Sequence, residues 1–249
     1  MKPTRIVSRR KFLANVGGMA AGTTVLAAAP DENTRSDDRL RTISADVLVI
    51  GGGTAGTIAA IQAGRLGART VLVEAGSQLG GTTTTAGVDY PGLFHAWGRQ
   101  IIAGIGWELV TKTAELNGDR LPDFTQPVGR QQYRHQVRIC GQLYAALTEE
   151  ACLKAGVQLR YYEFPLGVEA VADGWKVRLA GKGTQVEVAA KQLVDCTGNA
   201  AVVGLIGLQR LREPTTQPGT LIYRLAGYDR DRVDLPALEA GFKDAIKTG

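Results

Sequence analysis

The chain has 249 residues, 44% of them apolar and 21% charged. Its formal excess of five positive charges sits in residues 1–29, where Lys2, Arg5, Arg9, Arg10 and Lys11 stand without an acid, and the remaining 24 bases equal the 24 acids. Past that leader the chain is formally neutral, which removes electrostatic support for a nucleic-acid or anionic-membrane partner.

Ser8-Arg9-Arg10-Lys11-Phe12-Leu13 is a twin-arginine pattern, and Ala14 to Ala29 behind it has the moderate apolarity of an export segment. Its residues are too small and too weakly apolar for a membrane span. The pattern predicts export by the twin-arginine machinery to a periplasmic or extracellular location, a route that carries proteins already folded around a cofactor. Ala27-Ala28-Ala29 offers small residues to a signal peptidase, but Pro30 follows directly and fits poorly; a cut after Ala27 and no cut at all stay open. Residues 30–44 mix both charges with few apolar side chains and read as a solvated linker. The remainder suffices for one large domain or two small ones with a real core.

Ala45 to Glu74 reads as a strand, glycine turn, helix and strand. Val47-Leu48-Val49-Ile50 is an aliphatic run suited to a parallel strand covered on both faces. Gly51, Gly53 and Gly56 then give G-x-G-x-x-G, with Thr54 and Ala55 between them. The first glycine makes the tight turn, the second lets backbone approach a pyrophosphate, and the third lets helix pack on strand. Ile58, Ala59, Ile61, Gln62 and Leu66 continue as a helix whose first N–H groups and dipole point at the phosphates; Gly67 ends it, and Thr70-Val71-Leu72-Val73 is the next strand. Glu74, 18 residues past Gly56, closes that strand where a carboxylate accepts hydrogen bonds from ribose hydroxyls. The acid favours FAD or NAD over NADP, whose 2′-phosphate it would repel. The unit predicts an α/β, Rossmann-like fold with a parallel sheet.

A second glycine-rich loop runs from Gly76 to Gly87 and contains Gly80-Gly81 and the run Thr82 to Thr85, which offers hydroxyls and unhindered N–H groups further along the same ligand. With G-x-G-x-x-G, then E-x-x-x-x-x-G-G-T and a T-x-A-G-V continuation, the sequence resembles the FAD-dependent oxidoreductases of the two-dinucleotide-fold superfamily. Within it, the nearest group looks like the flavoproteins related to heterodisulfide reductase. The resemblance implies non-covalent FAD, with its adenosine ribose on Glu74 and its phosphate side on Gly80, Gly81 and Thr82. Gln192 to Asn199 resembles the family's second nucleotide motif, an apolar strand ending D-A-T-G-D, which would bring Thr197 and Gly198 close to the cofactor. Cys196 replaces the usual small residue there and Asn199 the usual acid.

Between these motifs, Arg99 to Leu116 has the apolar spacing of a helix, and Asn117 to Arg130, interrupted by Gly118, Pro122, Pro127 and Gly129, is a loop. Tyr133 to Ala155 is predicted helical, with Val137, Cys140, Leu143, Tyr144 and Leu147 as its buried stripe and Gly156 as its cap. Strands are predicted at Val157 to Phe164, Leu166 to Ala172, Trp175 to Ala180 and Thr184 to Ala189, with Asp173-Gly174 as a hairpin turn. By the resemblance they form an antiparallel β-meander that crosses beside the nucleotide sheet. Ala200 to Leu208 is predicted as a helix, Gly219 to Leu225 as a strand and Leu235 to Ile246 as an amphipathic helix. The organisation expected is a signal segment at 1–29, a linker at 30–44, an FAD-binding domain at 45–208 and the incomplete start of a substrate or cap domain at 209–249. The family's last glycine motif is absent before Gly249, so a truncated product, gene fragment or split partner is expected.

Catalytic residues are not legible. The chain has two histidines. His95, after the second glycine loop, is a candidate to face the flavin, and Arg99 to steady an anionic substrate or the flavin; His135, among Tyr133, Arg134 and Arg138, reads as a solvated or structural group. Cys140, Cys152 and Cys196 have neither metal-ligand nor CxxC spacing; Cys152 and Cys196 read as buried free thiols, and a Cys140–Cys152 bridge is disfavoured because both fall on one predicted helix. No metal is expected. The reading is an exported FAD-dependent oxidoreductase that converts a small organic substrate and passes electrons to an unidentified acceptor. Its rivals are an NAD-dependent reductase and a non-catalytic flavoprotein fragment.

Overall fold

The computed structural model describes residues 41–222, 226–229 and 232–248. The signal segment therefore lies outside the described residues. Strand β1 (Arg41–Ile50) leads through the glycine turn to helix α1 (Thr54–Arg65) and strand β2 (Thr70–Glu74). A short hairpin, β3 (His95–Ala96) and β4 (Arg99–Gln100), precedes helices α2 (Ile105–Asn117) and α3 (Gly141–Lys154). Strands β5 (Gln158–Tyr161), β6 (Phe164–Val171), β7 (Gly174–Ala180) and β8 (Gln185–Asp195) follow, then helices α4 (Ala201–Leu205) and α5 (Leu235–Thr248).

One six-stranded sheet, ordered β5-β2-β1-β8-β7-β6, organises the chain. β1 pairs in parallel with β2 and with β8, and β2 with β5, whereas β7 is antiparallel to β8 and β6 to β7. The C-terminal end of β1, Leu48, Val49 and Ile50, is buried on both faces, as its aliphatic run requires. Val49 and Leu72 face a core made with Ile61 of α1, Val110 of α2, and Tyr144 and Cys152 of α3. Leu48, Ile50, Val71 and Val73 alternate to the opposite face and pack with Val177, Leu179, Val188 and Val202. The period of two in the strands thus divides one apolar run between two cores.

Several boundaries move. Residues 41–44, expected to be linker, are the first residues of β1 and pair with Val186 to Ala189, because a long β8 offers them a partner strand. The strands expected separately at Thr184 to Ala189 and at Gln192 onward are this single β8, so the meander joins the parallel sheet at its edge and does not cross beside it. The first predicted long helix starts at Ile105, since Arg99 and Gln100 are spent on the hairpin and Gly104, at φ +76°, turns the chain. The second is helical only over Gly141–Lys154; Gln132–His135 is a 3-10 turn and Val137 is buried from an extended segment. The strand from Val157 stops at Tyr161, where Tyr162 takes φ +59°. Of the strand expected at Gly219 to Leu225, residues 219–222 carry none and 223–225 lie outside the described residues. Helix α5 forms, but Leu238, Phe242 and Ile246 on its apolar face are exposed. The three thiols are unbridged; Cys152 is buried and pushed up to about 12 by desolvation and by Glu149, and Cys140 and Cys196 are half-buried.

Candidate cofactor-binding site

The ends of β1, β2 and β8 open on the same edge of the sheet, because parallel strands place their C-termini together. Gly51, Gly53, Thr54, Ala55, Glu74, Gly81, Thr82, Thr197 and Gly198 meet there around a cleft of 520 Å³. These are nine of the eleven cofactor-binding residues that the sequence singled out. The other two, Gly56 and Gly80, stand behind the cleft and shape it. A Cβ on Gly56 would overlap the carbonyl oxygen of Gly51, so that glycine allows α1 to cross β1. Gly80, at φ +102°, donates its N–H to the Gly52 carbonyl at 2.8 Å and bridges in parallel to Gly53, which lashes the second glycine loop to the first.

Gly53 differs from its neighbours. A Cβ there would meet no protein atom within 4 Å, and its backbone, at φ −67° and ψ −176°, is extended and open to any residue. Neither packing nor torsion demands glycine at this position; the open space beside it does, if a pyrophosphate approaches. Gly53 is also the N-cap of α1 and no side chain caps that helix, so its first N–H groups have no intrahelical acceptors and meet the cleft with the positive end of the dipole. A dinucleotide phosphate fits this donor set.

Glu74 accepts the Gly52 N–H at 2.7 Å through Oε2 and the Gly76 N–H at 2.6 Å through Oε1. Each carboxylate oxygen keeps a further lone pair, so the side chain both fixes the glycine turn and stays available to ribose hydroxyls. On the β8 side, Asp195 plays a corresponding part that sequence reasoning did not assign. It accepts from the Thr197 N–H at 3.0 Å, the Thr197 hydroxyl at 2.7 Å and the Val203 N–H at 3.1 Å, while Thr197 Oγ1 accepts from Ala201 N–H at 2.8 Å. Burial alone would raise the Asp195 carboxyl; the hydrogen bonds from Thr197, Val203 and Val202 together outweigh it and hold the group below its ordinary value. Thr85, Ala86 and Cys196 also line the cleft. The threonine run was the available signal for Thr85, and the D-C-T-G strand end for Asp195 and Cys196.

Neither catalytic candidate lines the cleft. Ile101 and Ile102 donate to the Phe94 carbonyl at 2.8 and 3.1 Å and fold the hairpin back on itself. His95 is thereby stacked on Phe124, ring centroids 3.7 Å apart, with Trp107 edge-on at 5.1 Å. Arg99 is exposed on β4. His135, expected to be solvated or structural, is buried at 6% exposure against Phe124. Burial, then the neighbouring His135, pulls the His95 imidazole below its usual range.

The sheet order, the glycine turn and the acid at the end of β2 define a dinucleotide-binding α/β protein. Comparison with known sequences gives the particular group: the profile of the FAD dependent oxidoreductase family matches residues 46–246, and the chain belongs to that family. It is similar to nicotine dehydrogenase of Pseudomonas putida (strain DSM 28022 / S16), 36% identical over 115 residues that cover 40% of this chain and 24% of that protein. It is also similar to pseudooxynicotine dehydrogenase of a Pseudomonas species, 38% identical over 92 residues, 33% of this chain and 18% of the relative. The matched region thus spans about a quarter or less of these curated relatives. Among solved structures, anhydrotetracycline hydroxylase OxyS from Streptomyces rimosus aligns with TM-score 0.47 at 20% identity, covering 66% of this chain and 34% of that one. The flavin-dependent monooxygenase PieE in complex with FAD and substrate aligns with TM-score 0.48 at 18% identity, covering 66% and 32%.

Proposed function

We propose that the chain binds FAD non-covalently in the glycine cleft and serves an oxidoreductase reaction in which a small organic substrate is oxidised and electrons pass on to a separate acceptor. The observation that carries the reading is the free space beside Gly53, at the uncapped N-terminus of α1, between Glu74 on one side and Thr197-Gly198 on the other. When bound, FAD supplies the two-electron chemistry. The chain's residues supply its seat: Glu74 for a ribose, the α1 N–H groups and the Gly81-Thr82 loop for phosphates, and Asp195 to hold Thr197 in place. The names of the two curated relatives, dehydrogenases of nicotine and pseudooxynicotine, support a small organic molecule as electron donor. The E-x-x-x-x-x-G-G-T and T-x-A-G-V run supports a place near the heterodisulfide reductase group within the family, and residues 209–249 as the beginning of a cap region.

The visible absorption spectrum of the purified chain, with the released cofactor identified by mass, tests the reading. Flavin bands and released FAD are expected. A protein that stays colourless after incubation with FAD and instead retains NAD would overturn it in favour of a nicotinamide-dependent reductase.

The Arg9-Arg10 pair supports export by the twin-arginine route. Replacing both arginines by lysine in a reporter fusion is expected to stop export; export that continues through the general secretory route would refute the assignment.

A further inference from the structure

Away from the glycine cleft, a second cavity of 640 Å³ opens between the hairpin 95–100 and the loop 125–132. No residue lines both. Leu93, Ile101 and Val128 give it apolar walls, and among its lining residues only His95 and His135 can titrate. Asp123 faces His135 from outside the lining, held by the hydroxyl and N–H of Thr125. His95 Nδ1 and His135 Nε2 are buried without a hydrogen-bond partner. A buried orphan of this kind bears its desolvation penalty uncompensated and calls for an explanation. A half-turn of either imidazole exchanges nitrogen and carbon positions within the same ring outline, so a group seated beside the rings can claim the nitrogens.

The rim adds a second observation. Trp97 and Gly98 form the two-residue turn of the hairpin at φ +52° and +70°. Turns of this kind ordinarily take Asn or Gly, and a bulky residue there is strained. Trp97 is nonetheless held at the mouth of the cavity with its side chain in solvent, 86% exposed. An indole kept at such a cost on the rim of an apolar cavity is placed to close over a flat guest.

We infer that the cavity bounded by His95, Trp97, Ile101, Val128 and His135 is a binding site for a small aromatic carboxylic acid whose carboxyl group meets the two imidazoles. A permanently charged ligand would find no opposite charge in the lining and would lose its hydration uncompensated. An acid whose proton passes to an imidazole carries its counter-charge in with it. His95 resists protonation while the cavity holds no anion, and a bound carboxylate offsets both the burial and the repulsion from His135.

With two histidines in the whole chain, imidazole NMR of the full-length protein reads the site directly. Benzoate is the probe, with benzyl alcohol and benzylamine as neutral and cationic controls. Saturable benzoate binding is expected, with both imidazole signals shifting, His95 titrating at higher pH in the complex, and at least tenfold weaker binding of both controls. Trp97→Asn relieves the turn and removes the rim, so it is expected to fold at least as stably and bind benzoate about tenfold more weakly; His135→Phe is expected to abolish binding. Benzoate that does not saturate, that moves neither imidazole, or that binds Trp97→Asn as tightly as the parent would overturn the assignment. Flavin content measured on the same samples keeps this outcome separate from the cofactor reading, since benzoate seated in the glycine cleft would leave both imidazoles unmoved.

Discussion

The cleft beside Gly53 is lined by the glycine turns and loops at the ends of three parallel strands, whereas the cavity beside His95 is lined by a hairpin and a loop distant from it in sequence. In the first, position follows from the sheet: once β1 pairs with β2 and β8, the glycine turn, Glu74 and Thr197 have nowhere else to go. In the second, position follows from ring packing among Phe94, Trp107, Phe124 and the two histidines. A site built at strand ends is specified by short motifs and tolerates change behind it poorly. A site built by ring packing is specified by contacts distant in sequence.

The sharpest way to break the comparison lies within the glycines themselves. Gly56→Val drives a side chain into the Gly51 carbonyl and is expected to cost about 3 kcal/mol or more, losing fold and flavin together. Gly53→Val places its side chain in open space on extended backbone and is expected to lose flavin while its thermal midpoint stays within a few degrees of the parent. Equal damage to stability by the two variants would show that Gly53 is structural. Glu74→Ala leaves the Gly52 and Gly76 N–H groups without their acceptor, so urea unfolding should reveal a loss of about 1.5–3 kcal/mol together with weaker flavin retention.

Asp195→Asn should cost less, about 1 kcal/mol at pH 7. Its folded carboxyl lies below the ordinary 3.8, so its contribution is complete above that pH and is lost as pH falls through the lower folded value. The gap between parent and variant should therefore shrink in acid below pH 3.8, and a constant gap would mean that the carboxylate charge is irrelevant. The smallest effect belongs to the other region. His95 in the folded chain takes its proton below the ordinary 6.5, so the unfolded chain binds it first and stability declines as pH drops below 6.5. His95→Phe should flatten the thermal midpoint between pH 7.5 and 5.5 by a few degrees relative to the parent. An unchanged slope would show that the imidazole is not desolvated.

These differences also explain what was legible. The glycine pattern, the acid at 74 and the Thr197-Gly198 strand end converge as expected, because each is a local backbone requirement that a few residues state in full. The helix boundary at 133–140 differs from expectation because apolar periodicity does not distinguish a helix from buried extended chain such as Val137 and Ile139, and the one at 99–104 because the hairpin and the turn at Gly104 take up those exposed residues. The polar neighbours Tyr133, Arg134 and Arg138 leave His135 as either solvated or structural, and packing against Phe124 buries it, which is the structural alternative.

The sequence by itself determined the α/β unit from Val47 to Glu74, the two-sided burial of its strands and the chemistry of the cleft, since hydrophobic period, glycine torsions and one carboxylate are properties of neighbouring residues. Only the tertiary structure decided that β8 runs unbroken from the meander into the sheet, that Asp195 ties Thr197 to α4, and that His95 and His135 share a cavity away from the glycine cleft. The first and last of these depend on contacts between segments dozens of residues apart, whose energies are set by packing and desolvation that short-range pattern does not record; the Asp195 bonds span only two to eight residues, and the turn after β8 brings the Thr197 and Val203 N–H groups to one carboxylate.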